Sequence, residues 1–268
     1  MRGVSRASYA GLRERLSSIS TADTAERVGD ELFAVVRLLD SEHGLRRALA
    51  DPTKPADEKA AVVRRLLHGK ISAESEEIVT AAVEARWASS GDLADAIEQL
   101  AIEAYTVSAQ RRRKLDDLED DLFRFGRLVS AQPDLRSALI GAAPENAKRD
   151  LVANLLENKV SAPSMSLITQ LLTHTRGRSP QAALDLAAAI AARRREQLIA
   201  VVRVATELTA AQRQRLAETL TAAYGQGIHL NVVHDPAVVG GVSVQIGDEL
   251  IDGTAASRLA EVRRKLAG

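Results

Sequence analysis

Cysteine is absent from all 268 residues, which excludes disulfides, thiolate metal sites, iron–sulfur clusters and cysteine nucleophiles. Its absence also fits a cytoplasmic protein. Aromatic residues make up only 3% of the chain, so a core here has to be assembled from small aliphatic side chains, a composition that favours packed helices. Neither sign of charge is in excess: 36 Lys and Arg balance 36 Asp and Glu, leaving no global attraction to nucleic acid or anionic lipid. Long apolar runs are missing too. The most apolar stretch, Ala182 to Ala192, is broken by Asp185 and runs into three arginines, well short of the ~20 residues that a membrane span needs. Met1 to Arg15 mixes arginines with Ser and Ala and lacks the apolar centre of a signal peptide.

What the sequence does contain is a duplication. Residues 31–50 align without a gap with 121–140, at an offset of 90 residues. Leu32, Phe33, Arg37, Leu38, Leu45, Arg46, Ala48 and Leu49 recur as Leu122, Phe123, Arg127, Leu128, Leu135, Arg136, Ala138 and Leu139. Residues 58–75 then align with 147–164, at an offset of 89. There Lys59, Val63, Leu66, Leu67, Lys70, Ser72, Ala73 and Ser75 recur as Lys148, Val152, Leu155, Leu156, Lys159, Ser161, Ala162 and Ser164.

Each copy has helical periodicity. Leu115, Leu118, Leu122, Phe125 and Val129 alternate three and four apart, as do Ala25, Val28, Leu32, Val35 and Leu39, so each set forms one apolar stripe. Breaks fall at Asp51–Pro55 and Gly141–Pro144, and again at Ser89–Asp92 and Arg178–Gln181. This spacing predicts short antiparallel helices in two bundles, since two copies are too few for a solenoid.

The pattern changes near Gln197. Leu198 to Ala205 is a β-branched run suited to a strand, and Thr209 with Gln212 forms a capping box opening a helix to about Tyr224. Ile228, Leu230 and Val232 alternate with polar residues, as do Val242, Val244 and Ile246. Gly247–Asp248 turns the chain into a short strand, Glu249 to Asp252, and a last helix carries Leu259, Val262 and Leu266 on one face. The fold class expected is therefore mainly α with a C-terminal α+β module. Residues 1–105 form a first bundle, 106–196 a second, and 197–268 a small β-α-β-β-β-α domain.

No catalytic chemistry is legible. His43, His68, His174, His229 and His234 are scattered over breaks and strands, and there is neither a G-x-S-x-G nor an H-E-x-x-H. Gly240–Gly241 with Gly247 precedes a hairpin rather than a helix, and no Walker lysine follows a glycine-rich loop, so no nucleotide site is expected. Basic runs at Arg111–Lys114, Arg193–Arg195 and Arg263–Lys265 lack interleaved aromatics for base stacking. Arg112 and Arg113 stand four residues before Asp116 and Asp117, a spacing that reads as helix-surface pairing.

The tail carries a specific pattern: Asp235–Pro236, Gly240–Gly241, Gly247–Asp248, Ile251–Asp252–Gly253–Thr254 and Arg258–Leu259. It resembles the C-terminal signature of the delta subunit of F-type ATP synthases, relatives of the mitochondrial oligomycin-sensitivity-conferring protein. Thr254 stands where the family usually has serine, and Ala255 where a larger aliphatic is usual. The glycines suit tight turns, and Asp252 suits a helix cap, so the motif reads as fold-specifying. The second helical copy sits as the family's single bundle does; the first copy is extra.

The resemblance implies a non-catalytic stator without cofactor or metal. Such a subunit binds the alpha (and beta) subunits of the catalytic head through its bundle and the b subunits through its C-terminal domain. It lies at the cytoplasmic face of the cell membrane as a peripheral protein, with no span of its own and no nucleic acid. The opening helix, with Tyr9, Leu12 and Leu16 along one side, is the candidate head-binding element; the alternative is that these side chains pack within their own bundle. A helical adaptor of another complex is the competing reading, and the tail motif favours the stator.

Overall fold

The two aligned apolar stripes read from the sequence, Ala25 to Leu39 and Leu115 to Val129, each lie on one helix. In the computed structural model, which describes residues 3–17, 19, 21–196, 198–224, 228–235, 238, 241–246 and 249–252, the chain divides into two units, Met1–Ala192 and Arg193–Gly268.

The first unit contains α1 (Val4–Ser17), α2 (Ala22–Ser41), α3 (His43–Ala50), α4 (Ala56–Leu67), α5 (Ala73–Glu84), α6 (Ser90–Arg111), α7 (Leu115–Ala131), α8 (Pro133–Ile140), α9 (Glu145–Leu156) and α10 (Ala162–Thr173). It also holds most of α11 (Pro180–Glu196). The repeat is reproduced helix by helix: α2 to α5 correspond to α7 to α10, and α6 to α11. Turn chemistry is reproduced as well. Ser72 and Ser161 cap α5 and α10, each hydroxyl accepting from the backbone N–H three residues on, at 3.4 Å. Behind each cap a carboxylate from the long helix accepts the serine's own N–H at 3.1 Å, Glu31 for Ser72 and Asp121 for Ser161. After α4 and α9 the chain turns through a left-handed residue, Gly69 (φ 71°) in one copy and Asn158 (φ 59°) in the other. These are the residue types that tolerate that conformation.

Both stripes are buried in one continuous core, to which Ala25, Val28, Leu32, Val35 and Leu39 contribute along with Leu118, Leu122, Phe125 and Val129. At its centre is α6, where Leu93, Ala96, Ile97, Leu100, Ala101, Ile102, Ala104 and Tyr105 are all fully buried. A helix buried all round has packing partners all round. Here α1, α2, α3 and α5 of the first copy, and α7 and α10 of the second, pack against it. Positions 105 and 106 both lie within this helix. Gly29 allows α2 to approach α6 closely, since a Cβ there would stand 2.7 Å from Cε2 of Tyr105. The Tyr105 hydroxyl donates to Asp30 at 2.5 Å. Burial, then the hydrogen bond and charge of Asp30, push its pKa well up, so it stays protonated.

One expected pairing is corrected. Arg112 and Arg113 do not share a helix with Asp116 and Asp117, because α6 ends at Arg111 and α7 begins at Leu115. Arg112 instead reaches across to Asp23 (2.6 Å) and Glu26 (3.1 Å) of α2.

The second unit contains β1 (Leu198–Val204), α12 (Ala210–Tyr224), β2 (Ile228–His234), β3 (Val242–Ile246) and β4 (Glu249–Asp252), in sheet order β2-β1-β3-β4. β1 runs parallel to β2 and antiparallel to β3, with Val202 opposite both Val232 and Val244. Strand alternation puts Ala200, Val202 and Val204 on one buried face together with Val244 and Ile246, and Leu220 of α12 joins that core. The capping box forms as read: Gln212 accepts the Thr209 N–H at 2.9 Å, and the Thr209 hydroxyl accepts the Gln212 N–H at 3.3 Å. The final helix expected around Leu259, Val262 and Leu266 lies outside the described residues.

Candidate functional site

Titratable groups are arranged for packing. Among the described residues no group of three or more His, Asp or Glu side chains could hold a metal ion, and no helix is long and apolar enough to cross a membrane. His68 is exposed beside Glu76 at 3.4 Å, while His174 lies 3.2 Å from Asp40.

The dominant polar cluster sits where the copies meet. Arg176 and Arg178 project from the turn between α10 and α11 onto acids of the first copy. Arg176 pairs with Asp40 of α2 (2.7 Å) and with Asp95 and Glu98 of α6 (2.8 Å each), and Arg178 also pairs with Glu98. The Glu98 side chain is only 3% exposed, and both arginines pair with it in that buried position. Burial works against the Arg176 charge, but hydrogen bonding and charge from Asp40 and Glu98 outweigh it and raise its pKa. Burial likewise pushes the Asp40 carboxyl up, and Arg176, then His174, overcome it and hold it below the usual carboxylate range. Around this clamp, Gln170 of α10 accepts from Arg37 at 2.9 Å and donates to Asp30 at 2.7 Å, and Ser166 donates to Glu26 at 3.2 Å.

The copies therefore meet head to tail: the α2–α6 face of the first receives α10 of the second. A heterologous contact leaves one half of itself open at each end. At one end is the concave surface of α1, α4 and α5, lined by Arg15, Arg64, Glu77, Thr80, Ala81 and Glu84. At the other is the groove between α7 and α11, lined by Phe123, Arg127, Ser130, Gln181, Asp185 and Ala188. Phe33, whose ring lies 6.2 Å from that of Tyr105, is 4% exposed; its counterpart Phe123 is 62% exposed.

Tyr9, Leu12 and Leu16 do come together along one side of α1, and that side faces inward. They are 7%, 4% and 0% exposed. The Tyr9 hydroxyl donates to buried Glu103 of α6 at 2.7 Å, and Arg13 pairs with the same carboxylate at 2.6 Å. These side chains fasten α1 to α6, and the edge of α1 open to a partner carries Arg15.

Of the tail motif, the structure places Asp235, whose N–H donates to the Val204 carbonyl at 2.9 Å and ties the end of β2 to β1. Gly241 has φ 90°, a conformation that requires glycine at this entry to β3. Asp252 ends β4 opposite Ser243. Pro236, Gly240, Gly247, Asp248, Gly253, Thr254, Arg258 and Leu259 lie outside the described residues. Sequence reasoning missed the arginine clamp and the exposure of Phe123. No sequence signal marks the second, because the aligned copies carry the same phenylalanine in two environments.

Comparison with known proteins gives this architecture a context. The model of the family described as ATP synthase delta (OSCP) subunit matches residues 102–266, starting within α6. The ATP synthase subunit delta of Thermobifida fusca is 47% identical over 270 residues, covering all of both chains. That of Streptomyces griseus is 44% identical over 271 residues, again covering all of both. That of Kineococcus radiotolerans is 45% identical over 269 residues, covering 99% of this chain and 98% of its own.

Proposed function

Because the chain belongs to the ATP synthase delta (OSCP) subunit family, we propose that it is a non-catalytic stator in the peripheral stalk of an F-type ATP synthase, tying the alpha and beta subunits of the catalytic head to the b subunits. Torque on a rotor turning inside the head has an equal reaction on the head. Unless the head is held, proton flow spins it and makes no ATP. The subunit's work is then mechanical, and its requirements are long-lived contacts rather than reacting groups.

The observation that carries this reading is the extent of the similarity: the relatives match through both helical copies and the C-terminal unit, from end to end. Two features of the molecule support it. A single core runs through both copies, and the clamp of Arg176 and Arg178 locks one copy to the other, which suits a part loaded in torsion. The end faces are concave surfaces edged by helices, the shape that receives a partner's helix.

In this reading the helical copies, residues 1–105 and 106–196, engage the head, and residues 197–268 hold the b subunits. The opening helix takes part through its edge beside α5, at Arg15, Glu77 and Ala81, while Tyr9, Leu12 and Leu16 keep it in place. The complex sits at the cytoplasmic face of the cell membrane and the chain is peripheral to it. Native mass spectrometry of the full chain mixed with a catalytic head lacking its delta subunit tests the assignment. A one-to-one complex formed without nucleotide is expected. No complex at micromolar concentration, with the chain folded, sends the assignment back to an adaptor of some other assembly.

A further inference from the structure

The buried side of α4 is made by Lys59, Ala60, Val63 and Leu67. A lysine in such a stripe is out of place: the residue as a whole is 5% exposed, with its four-carbon stem covered and the amine tip reaching solvent. Lysines this buried are normally paired with a carboxylate. Among the described residues Lys59 has no ion pair and no side-chain hydrogen bond. On the helix, its neighbours three and four residues away are Pro55, Ala56, Val62 and Val63, so no acid shares its face. Asp51, the acid whose charge reaches it, is engaged in its own loop: one carboxylate oxygen accepts the N–H of Thr53 at 2.9 Å and the Thr53 hydroxyl at 2.7 Å. Burial therefore lowers the Lys59 pKa, with Asp51 opposing it incompletely. The position falls one turn from the N-terminus of α4, where the helix dipole also disfavours a cation.

We propose that Lys59 is an acylation site, at which the side-chain amine attacks the carbonyl carbon of a small acyl phosphate. The new bond joins Nζ to the acyl carbon, the bond from that carbon to the phosphate oxygen breaks, and the departing phosphate takes the proton that the nitrogen gives up. Nothing is oxidised or reduced. The nucleophile is the free amine, and an unpartnered, poorly hydrated lysine supplies more of it than a solvated one. The donor is small and free because only the amine tip is open; an acyltransferase has to enclose the stem, which here is inside the protein. The product amide is neutral, so the reaction takes the unmatched charge out of the buried stripe. Lys59 lies in the first copy, ahead of residues 102–266 that the family model matches. The repeat supplies the control. Lys148 is the aligned residue on α9, but the buried residues there are Val152 and Leu156, the counterparts of Val63 and Leu67, and Lys148 is half-buried.

The test incubates the full chain with acetyl phosphate near neutral pH and follows acetylation of each lysine by peptide mass spectrometry, in buffer and in urea. In the folded chain Lys59 is expected to react about threefold or more faster than Lys148, and in urea the difference should vanish. Ala56→Glu, at an exposed position three residues before Lys59, supplies the missing carboxylate and should bring the Lys59 rate down to that of Lys148. Trp87 fluorescence checks that the helical unit is folded in each sample in buffer. Lys59 reacting no faster than Lys148 in the folded chain overturns the proposal. A Lys59 advantage that persists in urea, or one that Ala56→Glu leaves intact, overturns it too, because the reactivity then does not come from an unpartnered amine in a folded stripe.

Discussion

Replacing Arg176 by methionine keeps the unbranched stem and deletes the guanidinium that joins Asp40, Asp95 and Glu98. Removing one partner of a buried ion pair costs about 3–5 kcal/mol, chiefly because the other charge is left in a low-dielectric site. Glu98 is the charge at risk, and it keeps Arg178; Asp40 keeps His174 and Arg46. The loss should therefore fall near the lower end, about 3 kcal/mol. Arg176 also sits at φ 53°, which methionine tolerates no better, so the backbone term cancels in the comparison. The single tryptophan gives a clean probe. Trp87 is buried in the helical unit with its indole N–H donating to Ala82 at 2.7 Å, so urea unfolding followed by fluorescence reports that unit alone. The effect should also depend on pH. A carboxyl held below its usual range contributes stability that is complete above its unfolded pKa, about 4, and is lost as pH falls through the lower folded value. The gap between wild type and Arg176→Met should be widest near neutrality and close as the pH drops below about 4. A loss under about 0.5 kcal/mol at pH 7, the size typical of exposed pairs, would refute the claim that the clamp holds the copies together.

Gly29→Ala should lower the stability of the helical unit by about 1–3 kcal/mol despite alanine's better helix propensity, because its methyl group meets the Tyr105 ring; calorimetry or urea unfolding decides. Asp121→Ala should cost about 1–3 kcal/mol by orphaning the Ser161 N–H, and an amide-exchange measurement should show α10 fraying first. Tyr9→Phe should cost about 1 kcal/mol and leave head affinity unchanged, since the hydroxyl serves Glu103 inside the protein; tenfold weaker binding would place Tyr9 at the partner surface instead. Glu77→Arg, at the exposed edge of α5 beside Arg15, should do the opposite and weaken head binding with little change in unfolding midpoint, since the pair it breaks is solvent-exposed.

Helices with a solvent face were legible because exposure on one side imposes a period on the sequence. The stripes from Ala25 to Leu39 and from Leu115 to Val129 lie on α2 and α7 as read. So does the capping box at Thr209, which is a local interaction. The helix α6 defeats the same reasoning. It is covered on every side, so its small and apolar residues carry no period, and its role in both copies is invisible until they are packed. Glu98 and Glu103 look like solvated residues of such a helix, yet both are buried, and their partners lie about 80 and 90 residues away in the chain. A stripe also does not say what covers it. Tyr9, Leu12 and Leu16 would have the same spacing against a partner as against α6. The turn at Arg176 read as a break between helices, because nothing in its local sequence points to acids on α2 and α6. Phe33 and Phe123 show the limit most simply: an identical residue in an aligned position is core in one copy, its ring beside Tyr105, and surface in the other.

The central claim is mechanical, so the most direct test is mechanical coupling. ATP synthase stripped of its delta subunit is reconstituted into liposomes, and ATP hydrolysis and ATP-driven proton uptake are followed together, with and without the full chain added back. The stator account predicts that hydrolysis continues without the chain while proton uptake collapses, and that a stoichiometric addition restores uptake. Proton uptake that is as strong without the chain as with it would contradict the account.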